Sequence, residues 1–237
     1  MRLHLAEWGS GPRTALLIHG LSNDSGTWAE VGVALAEAGF RVVAPDLRGH
    51  GRSPRGTYSI EELAGDLAEN LPVGADLAVA HSLGARALLL AAERLQPLRV
   101  VYEDPAWKYR ASDRLTRLPE FELRKQQSLE QIADGNPRWS AAALLSRLGG
   151  YAAWDQATAA ALMGDEDLDY TPTGPPAQPS LILLAAESLL VDPRRVPRLR
   201  ELGWEVEYVD GARHWVHLDQ PEHFIGRVMG WASAAAL

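Results

Sequence analysis

Val79-Ala80-His81-Ser82-Leu83-Gly84 is the most informative segment of this 237-residue chain. It joins a short apolar run over 77–80 to a helical run that continues to residue 95, which predicts a tight turn between a strand and a helix. Ala80 and Gly84 are small, as side chains that flank so sharp a bend must be. The turn holds Ser82 at the carboxyl end of the strand, with the N-terminus of the next helix aimed at it. We therefore predict that Ser82 is a nucleophile, the alternative being a helix-capping serine.

Short apolar runs alternate with amphipathic segments on both sides of this turn. This alternation is typical of an α/β protein with a mainly parallel sheet, whose strands are buried on both faces. The predicted strands cover 14–18, 41–44, 77–80, 100–102, 181–185 and 205–209, and the predicted helices cover 26–38, 60–71, 83–95, 193–202 and 221–235. The helix over 60–71 begins at the capping box Ser59-Ile60-Glu61-Glu62 and ends before Pro72.

The pattern changes between Trp107 and about Thr173. Strand signals vanish there, and aromatic residues are interspersed among helix formers and charged residues. A proline-rich stretch over 171–179 then leads back into the next predicted strand. We predict a single domain over 1–237, with a helical insertion at about 106–177.

Composition excludes several classes of function. The 23 basic and 31 acidic residues give a formal net charge of −8, which argues against nucleic acid and anionic lipid as partners. The absence of cysteine excludes disulfides, thiol nucleophiles and thiolate metal sites. Apolar runs such as 181–186 are too short to span a bilayer, and the N-terminal residues lack the apolar core of a signal peptide. We expect a cytoplasmic protein that binds neither nucleic acid nor a membrane.

Four motifs resemble those of the α/β-hydrolase superfamily and occur in that family's order. They are His19-Gly20 after the first predicted strand, Pro45-Asp46-Leu47-Arg48-Gly49-His50-Gly51-Arg52-Ser53 after the next, the serine turn at 80–84, and Ala212-Arg213-His214-Trp215 ahead of 218–222. The resemblance covers essentially the whole chain. It implies an α/β-hydrolase fold with a mostly parallel central sheet flanked by helices, in which the insertion at 106–177 forms a helical cap.

The same resemblance implies an esterase-like serine hydrolase that cleaves carboxylic esters through an acyl-enzyme. Its partner is then a small-molecule ester or a related acyl compound, and neither a metal nor an organic cofactor is needed. Relatives that hydrolyse epoxides or remove halides carry Asp at the nucleophile position, where this chain has Ser82. The alternatives are hydrolysis of a thioester, lactone, amide or C–C bond, and a non-catalytic binding protein with the same fold.

The family's oxyanion hole corresponds here to the backbone N–H groups of Leu21 and Leu83. A serine hydroxyl is a poor nucleophile until a base removes its proton, so a histidine must lie near Ser82. His214 follows the strand predicted over 205–209 and precedes the last helix, which is the position of the base in the family's chain order. We predict His214 as the general base of a catalytic triad.

Three residues are candidates for the acid of this triad. The family's usual Gly-x-x-Asp turn corresponds to 185–188, where a serine stands in place of Asp and Glu187 is one residue away. Some members take the acid from the end of the strand after the nucleophile helix, where this chain has Glu103-Asp104-Pro105. Adjacent strand residues point to opposite faces, so at most one of Glu103 and Asp104 reaches His214. Asp104 is our first choice, because Asp-Pro is frequent at this strand end, and Glu103 and Glu187 are the alternatives.

Most other polar residues have structural interpretations. No carboxylate cluster with metal-ligand spacing accompanies His217, so no metal site is predicted. We further predict that Arg48 and Arg52 tie the scaffold together, that Arg86 faces solvent, that His19 and His81 are structural, that His50 organises its own loop, and that His217 and His223 lie on a helix surface. Trp28 and the aromatic residues of the insertion either line a pocket or pack in the core.

Overall fold

The computed structural model describes residues 1–164, 166–186, 188 and 190–233. In chain order, the strands are β1 (Leu5–Trp8), β2 (Arg13–Ile18), β3 (Phe40–Pro45), β4 (Leu77–His81), β5 (Val100–Glu103), β6 (Lys108–Tyr109), β7 (Leu168–Asp169), β8 (Ser180–Ala185) and β9 (Glu205–Val209). The helices are α1 (Ala29–Glu37), α2 (Ile60–Asn70), α3 (Leu83–Leu95), α4 (Ala111–Lys125), α5 (Leu129–Gly135), α6 (Ala141–Ala153), α7 (Ala157–Met163), α8 (Val196–Glu201), α9 (Val216–Asp219) and α10 (Pro221–Ser233).

Seven of the strands form one sheet in the order β1-β3-β2-β4-β5-β8-β9. Every neighbouring pair is parallel except β1 and β3, which are antiparallel. The predicted α/β class with a mainly parallel sheet is therefore confirmed. All six predicted strands are present, with bounds that differ from the predicted ones by one residue at most.

Three short strands were absent from the sequence prediction. β1 is a half-exposed strand at the edge of the sheet, so it lacks the continuous apolar run of a buried parallel strand. β6 and β7 are two residues each and pair antiparallel inside the segment where we expected no strand. Two residues are too few to show an alternating pattern, so the expectation of an entirely helical segment was wrong at these positions.

The sheet is buried on both faces, which explains the unbroken apolar runs of its central strands. In β2, Leu16 and Ile18 pack on one face, while Ala15 and Leu17 pack on the other. Helices α2, α3 and α8 cover the first face, and α1 and α10 cover the second. The predicted helix start at Ser59 is present, since the Ser59 side chain accepts a hydrogen bond from the Glu62 N–H at 3.1 Å.

The carboxyl ends of three adjacent strands bring the predicted site residues to one edge of the sheet. β2, β4 and β5 are neighbours, and they lead into His19, Ser82 and Asp104 respectively. His214 arrives at the same edge on the loop that follows β9. Loops at the carboxyl edge of a parallel sheet are the usual place for a ligand site in such folds.

Helices α4 to α7 occupy the segment between β5 and β8, and β6 and β7 pair at the two ends of this segment. α6 contacts the loop after β2, since Arg147 on α6 donates a hydrogen bond to the Ser22 carbonyl at 3.1 Å. The segment therefore packs over the edge of the sheet at which the site residues lie. Within the described part of the chain, no helix combines the length and the apolarity needed to cross a membrane.

We predict that Gly84→Ala destabilises the protein, because Gly84 lies where α3 crosses the end of β2. A Cβ at this position would stand 2.8 Å from Ile18 Cγ2 and would also collide with the carbonyl oxygens of Ile18 and His19. Since backbone cannot move aside cheaply, we expect the free energy of unfolding to fall by about 2–3 kcal/mol in a urea titration. Gly65→Ala on α2 is the matched control, because its Cβ meets nothing within 4 Å and alanine favours the helix. Equal urea midpoints for the two variants would contradict this account.

Candidate active site

Ser82 lies in a strained turn that presents its hydroxyl at the carboxyl end of β4. Its backbone has φ +52° and ψ −113°, a conformation that residues other than glycine rarely adopt. The Ser82 N–H donates to the Glu103 carbonyl at 3.0 Å, which fixes the turn to β5. Gly20 lets the loop after β2 approach closely, because a Cβ there would stand 2.7 Å from His81 Nδ1 and 2.9 Å from Ser82 Cβ. Such strain persists only where the surroundings hold it, and it is common at active sites.

The structure brings together Ser82, His214 and Asp104. Ser82 Oγ–H donates to His214 Nε2 at 3.0 Å, and His214 Nδ1–H donates to Asp104 Oδ2 at 2.7 Å. The Asp104 side chain is 2% exposed, whereas that of His214 is 32% exposed. The arrangement links a hydroxyl, an imidazole and a carboxylate in one chain of hydrogen bonds, which is the geometry of an activated serine nucleophile.

Glu103 points away from this chain and holds a different histidine. The Glu103 carboxylate accepts from the His217 backbone N–H at 2.8 Å and from the His217 ring Nδ1–H at 2.8 Å. The other His217 ring nitrogen shares a 2.9 Å hydrogen bond with Thr27 Oγ1. The prediction that Glu103 and Asp104 point to opposite sides agrees with these contacts. Glu187, the third candidate acid, lies outside the described residues.

The prediction of His217 as a helix-surface residue was wrong. His217 and Glu103 are both fully buried, and the His217 ring stacks on Trp28 at a centroid distance of 4.2 Å. Its helix α9 is short and packs against the sheet, so all four of its residues are buried. Trp28 is likewise fully buried, which assigns it to the core. His223, in contrast, is exposed on α10.

Leu21 and Leu83, whose backbone N–H groups are the predicted oxyanion hole, lie beside Ser82 in the wall of one cavity. Leu83 is the first residue of α3, so its N–H has no acceptor within the helix and lies at the positive end of the helix dipole. His19 Nδ1–H donates to the Gly20 carbonyl at 2.7 Å. Because the C=O and N–H of a trans peptide point in opposite directions, this bond turns the Leu21 N–H away from His19. Leu21 and Leu83 line the same cavity as Ser82 and His214.

Arg147 is a residue of this region that the sequence analysis missed. It is buried on α6, and it donates to the Ser22 carbonyl, to Ser22 Oγ and to Asn23 Oδ1. Its guanidinium also lies 4.8 Å from the centre of the Trp215 ring. Arg147 thereby ties α6 to the loop that carries Leu21. An arginine inside a helical run gives no sequence signal for a contact with a loop 125 residues earlier.

Arg86 was predicted to face solvent, and this prediction was wrong. Its side chain is 4% exposed, and Nη2 donates to the Leu162 carbonyl at 2.9 Å. Leu162 belongs to α7, so the segment between β5 and β8 covers this face of α3. Burial lowers the pKa of the Arg86 guanidinium. The sequence could not reveal this burial, because it comes from a helix 76 residues away.

The motif over 45–53 forms a hydrogen-bonded loop beside the site. Arg48 makes a bidentate ion pair with Asp66, through Nε at 2.5 Å and Nη2 at 2.9 Å. The Arg52 backbone N–H donates to Asp46 Oδ2 at 2.8 Å. His50 Nδ1–H donates to the Arg48 carbonyl at 2.9 Å. These contacts agree with the interpretation of the motif as a structural loop.

We predict that His50 makes the protein less stable in acid. Burial and the neighbouring His19 lower the pKa of His50 to about 3, whereas an unfolded histidine titrates near pH 6.5. Since the unfolded state binds more protons between these two values, the free energy of unfolding falls as the pH drops through this window. For His50 alone the loss between pH 7 and pH 5 is about 2 kcal/mol.

Urea titrations at these two pH values measure the loss. His50→Gln should make the difference in unfolding free energy between them smaller by that amount. His223→Gln, on the exposed surface of α10, is the matched control and should leave the difference unchanged. An unchanged difference in His50→Gln would show that His50 titrates normally.

A cavity of about 100 Å³ opens at Ser82 between α3 and the segment that covers it. Its wall includes the site residues Ser82 and His214 and apolar side chains of α4 and α7, namely Phe121, Leu162 and Met163. Some of the segment's aromatic residues thus line a pocket, whereas Trp107 and Trp154 are fully buried in the core. Across the described ranges, no group of three or more His, Asp or Glu side chains is arranged to hold a metal ion.

Comparison with known proteins places this arrangement in context. A family model described as the alpha/beta hydrolase family matches residues 15–227. Lipase LipV of Mycobacterium tuberculosis is 39% identical over 111 residues, which are 44% of this chain and 42% of the lipase. An epoxide hydrolase of Caballeronia sordidicola is 38% identical over 90 residues, which are 35% of this chain and 27% of that enzyme. The chain thus spans less than half of the length of the curated relatives that it matches.

The fold is also similar to solved structures over nearly the whole chain. The crystal structure of E-2-(acetamidomethylene)succinate hydrolase superposes with a TM-score of 0.77 and 26% sequence identity. The superposition covers 98% of this chain and 95% of that one. The agreement extends through the segment between β5 and β8, which the sequence analysis identified as an insertion.

Proposed function

The chain belongs to the alpha/beta hydrolase family, and we propose that it is a serine hydrolase that cleaves carboxylic esters through an acyl-enzyme. The observation that carries the proposal is the pair of hydrogen bonds from Ser82 Oγ to His214 Nε2 and from His214 Nδ1 to Asp104 Oδ2. Ser82 is the nucleophile, His214 the general base and Asp104 the triad acid. This order of residues along the chain is the one that the family uses.

In the first half of the reaction, Ser82 Oγ attacks the ester carbonyl carbon while His214 Nε2 takes the hydroxyl proton. The carbonyl oxygen gains negative charge, and the N–H groups of Leu21 and Leu83 stabilise it as an oxyanion hole. When the tetrahedral intermediate collapses, the C–O bond to the alcohol breaks and His214 donates the proton to the leaving oxygen. The product of this half is an ester between the acyl group and Ser82.

The second half repeats these steps with water as the nucleophile. His214 takes a proton from the water, whose oxygen attacks the acyl carbon, and Ser82 leaves with the proton that His214 returns. Asp104 holds the His214 ring in the tautomer that keeps Nε2 free to accept, and it stabilises the imidazolium that forms twice per turnover. The carboxylic acid is then released.

The same residues support hydrolysis of thioesters, lactones, amides or C–C bonds, since all of these pass through an acyl group on serine. Partial similarity to epoxide hydrolases does not favour their reaction here. Those relatives carry Asp at the nucleophile position, and this chain carries Ser82. In the epoxide reaction, the nucleophilic carboxylate forms an ester with the opened epoxide, and water then attacks the carbonyl carbon of that carboxylate. A serine in its place has no such carbonyl carbon.

The test of the proposal is hydrolysis of p-nitrophenyl esters from acetate to long acyl chains, together with labelling by a fluorophosphonate. We expect turnover of at least the short esters and a mass shift on the peptide that contains Ser82. A folded protein that turns over no ester and takes up no label would overturn the proposal in favour of a non-catalytic binding protein. Labelling at Ser82 with turnover only of thioesters or lactones would move the activity to that acyl class.

A further inference from the structure

The cavity at Ser82 is lined by basic side chains, although the chain as a whole is acidic. Five Lys or Arg residues contribute to its wall, whereas no described Asp or Glu does; they are Arg86, Lys108, Arg117, Arg124 and Arg147. The formal net charge of the chain is −8, so the cavity is a local reversal of charge. A concave site with poorly polarisable walls concentrates such a field on whatever enters it.

Arg86 carries a buried charge for which the described residues provide no carboxylate partner. Its Nη2 donates to the Leu162 carbonyl, but its Nε is buried without an acceptor. Glu61 acts on Arg86 through its charge, yet no ion pair joins the two. A guanidinium removed from water is costly unless an anion compensates it. The described residues offer the Arg86 guanidinium the Tyr170 ring, 5.3 Å from its centre, and no carboxylate in ion-pair contact, so an anionic ligand would complete its set of partners.

Two further hydrogen-bond donors in the wall lack acceptors within the described chain. Tyr109 OH and Trp215 Nε1 are both buried without a partner, and both residues line the cavity. Burial raises the pKa of the Tyr109 hydroxyl, so it remains protonated and able to donate. Together with Arg86 Nε, these are three unpartnered donors on side chains of the cavity wall, which favours a ligand rich in acceptors.

The other basic side chains of the cavity wall differ in whether they already have a hydrogen-bond or ion-pair partner. Arg147 already donates hydrogen bonds to Ser22 and Asn23 in the loop that carries Leu21. Lys108 lies 3.9 Å from Asp169, and Arg124 lies 3.7 Å from Glu120. Arg117 on α4 has no ion-pair partner among the residues that the structure describes, and its charge acts on Tyr109. Arg86 and Arg117 are therefore the two cations available to an anion.

We propose that the substrate is an ester of a short dicarboxylic acid, whose free carboxylate pairs with Arg86 and Arg117. This inference rests on the proposed function. Arg86 is four residues after Ser82, so it lies one helical turn, about 5.4 Å, along α3 from the nucleophile. Ser82 and Arg86 line the same cavity, so an acyl group on Ser82 can extend towards the guanidinium. A chain of two to four carbons joins the two carboxyl groups in such an ester.

The experiment compares monomethyl glutarate with methyl pentanoate, which has the same length and a methyl group in place of the carboxylate. Proton release in a pH-stat gives kcat/KM for each, and dimethyl glutarate controls for length without charge. We expect the parent protein to prefer the half-ester by about tenfold or more, and Arg86→Gln to remove most of this preference. Arg94→Gln removes the same charge from the exposed end of α3 and should leave the ratio unchanged.

The outcomes separate this inference from the proposed function. Turnover of methyl pentanoate without preference for the half-ester, or a preference that survives Arg86→Gln, overturns the inference and leaves the esterase proposal standing. If Arg86→Gln does not fold, the same comparison is made with Arg117→Gln, because Arg117 is half-buried and is the second residue proposed to bind the carboxylate. A structural role of Arg86 alone would lower both rates together and leave their ratio unchanged.

Binding provides a second readout that needs no turnover. In Ser82→Ala, calorimetric titration with monomethyl glutarate should show binding that Arg86→Gln weakens about tenfold or more. Such binding in a protein that hydrolyses no ester and takes up no fluorophosphonate would overturn the esterase proposal alone. Equal binding with and without Arg86→Gln would overturn the carboxylate inference alone.

Discussion

Ser82→Ala lowers kcat for ester hydrolysis by at least about 10⁴-fold in a folded protein. The expected size follows from the proposed role of Ser82 Oγ, whose bond to the acyl group forms in the first half of the reaction and breaks in the second. Without it, His214 has no hydroxyl to activate, and only binding and the N–H groups of Leu21 and Leu83 remain to favour a direct attack by water. The measurement is kcat on the best p-nitrophenyl ester of the series, with circular dichroism as the check on folding.

A second substitution at the same residue separates chemistry from strain. Ser82 has φ +52°, and alanine keeps the Cβ that makes this conformation costly. Ser82→Gly removes the Cβ, so we expect a gain of about 1 kcal/mol in the free energy of unfolding, with activity as low as in Ser82→Ala. Turnover that survives in either variant would show that another residue is the nucleophile.

The local sequence was sufficient to predict the parts of the site that depend on chain order and on turn chemistry. The serine turn needs only a strand, small neighbours and a helix, all of which lie within about 20 residues of Ser82. His214 was identified from its place between β9 and the last helix. The six predicted strands are buried on both faces, so their apolar runs are uninterrupted and easily recognised.

Contacts between distant segments could not be read from the sequence. Whether Asp104 or Glu103 faces His214 depends on how β5 ends, and the backbone turns at Asp104, which has φ +37°. The burial of Arg86 depends on α7, which contacts it from 76 residues away, and that of His217 depends on contacts such as the one with Glu103 of β5, 114 residues away. A charged or polar side chain on a helix is exposed by default, and only the packing of such distant segments reverses that expectation.

Asp104→Asn should lower kcat by about 10³- to 10⁴-fold while leaving the protein folded. The His214 Nδ1–H now donates to Asp104 Oδ2 at 2.7 Å. An asparagine can instead present its NH₂ group to Nδ1, which favours the tautomer with the proton on Nε2. In that tautomer Nε2 cannot accept the Ser82 proton, and no carboxylate stabilises the imidazolium. Steady-state kcat and the rate of fluorophosphonate labelling should fall together, because both depend on the same proton transfer.

Glu103→Gln is the matched control for this substitution, since it makes the same chemical change one residue away. Glu103 accepts two hydrogen bonds from His217, which lies outside the chain of bonds through Ser82. We expect this variant to lose about 1–3 kcal/mol of stability, because a buried charged acceptor is replaced, and less than about tenfold in kcat. The reverse pattern, with activity lost at Glu103 and kept at Asp104, would assign the acid to Glu103. Retention of activity in both variants would leave Glu187 as the residue to replace next, because it is the third candidate for the triad acid.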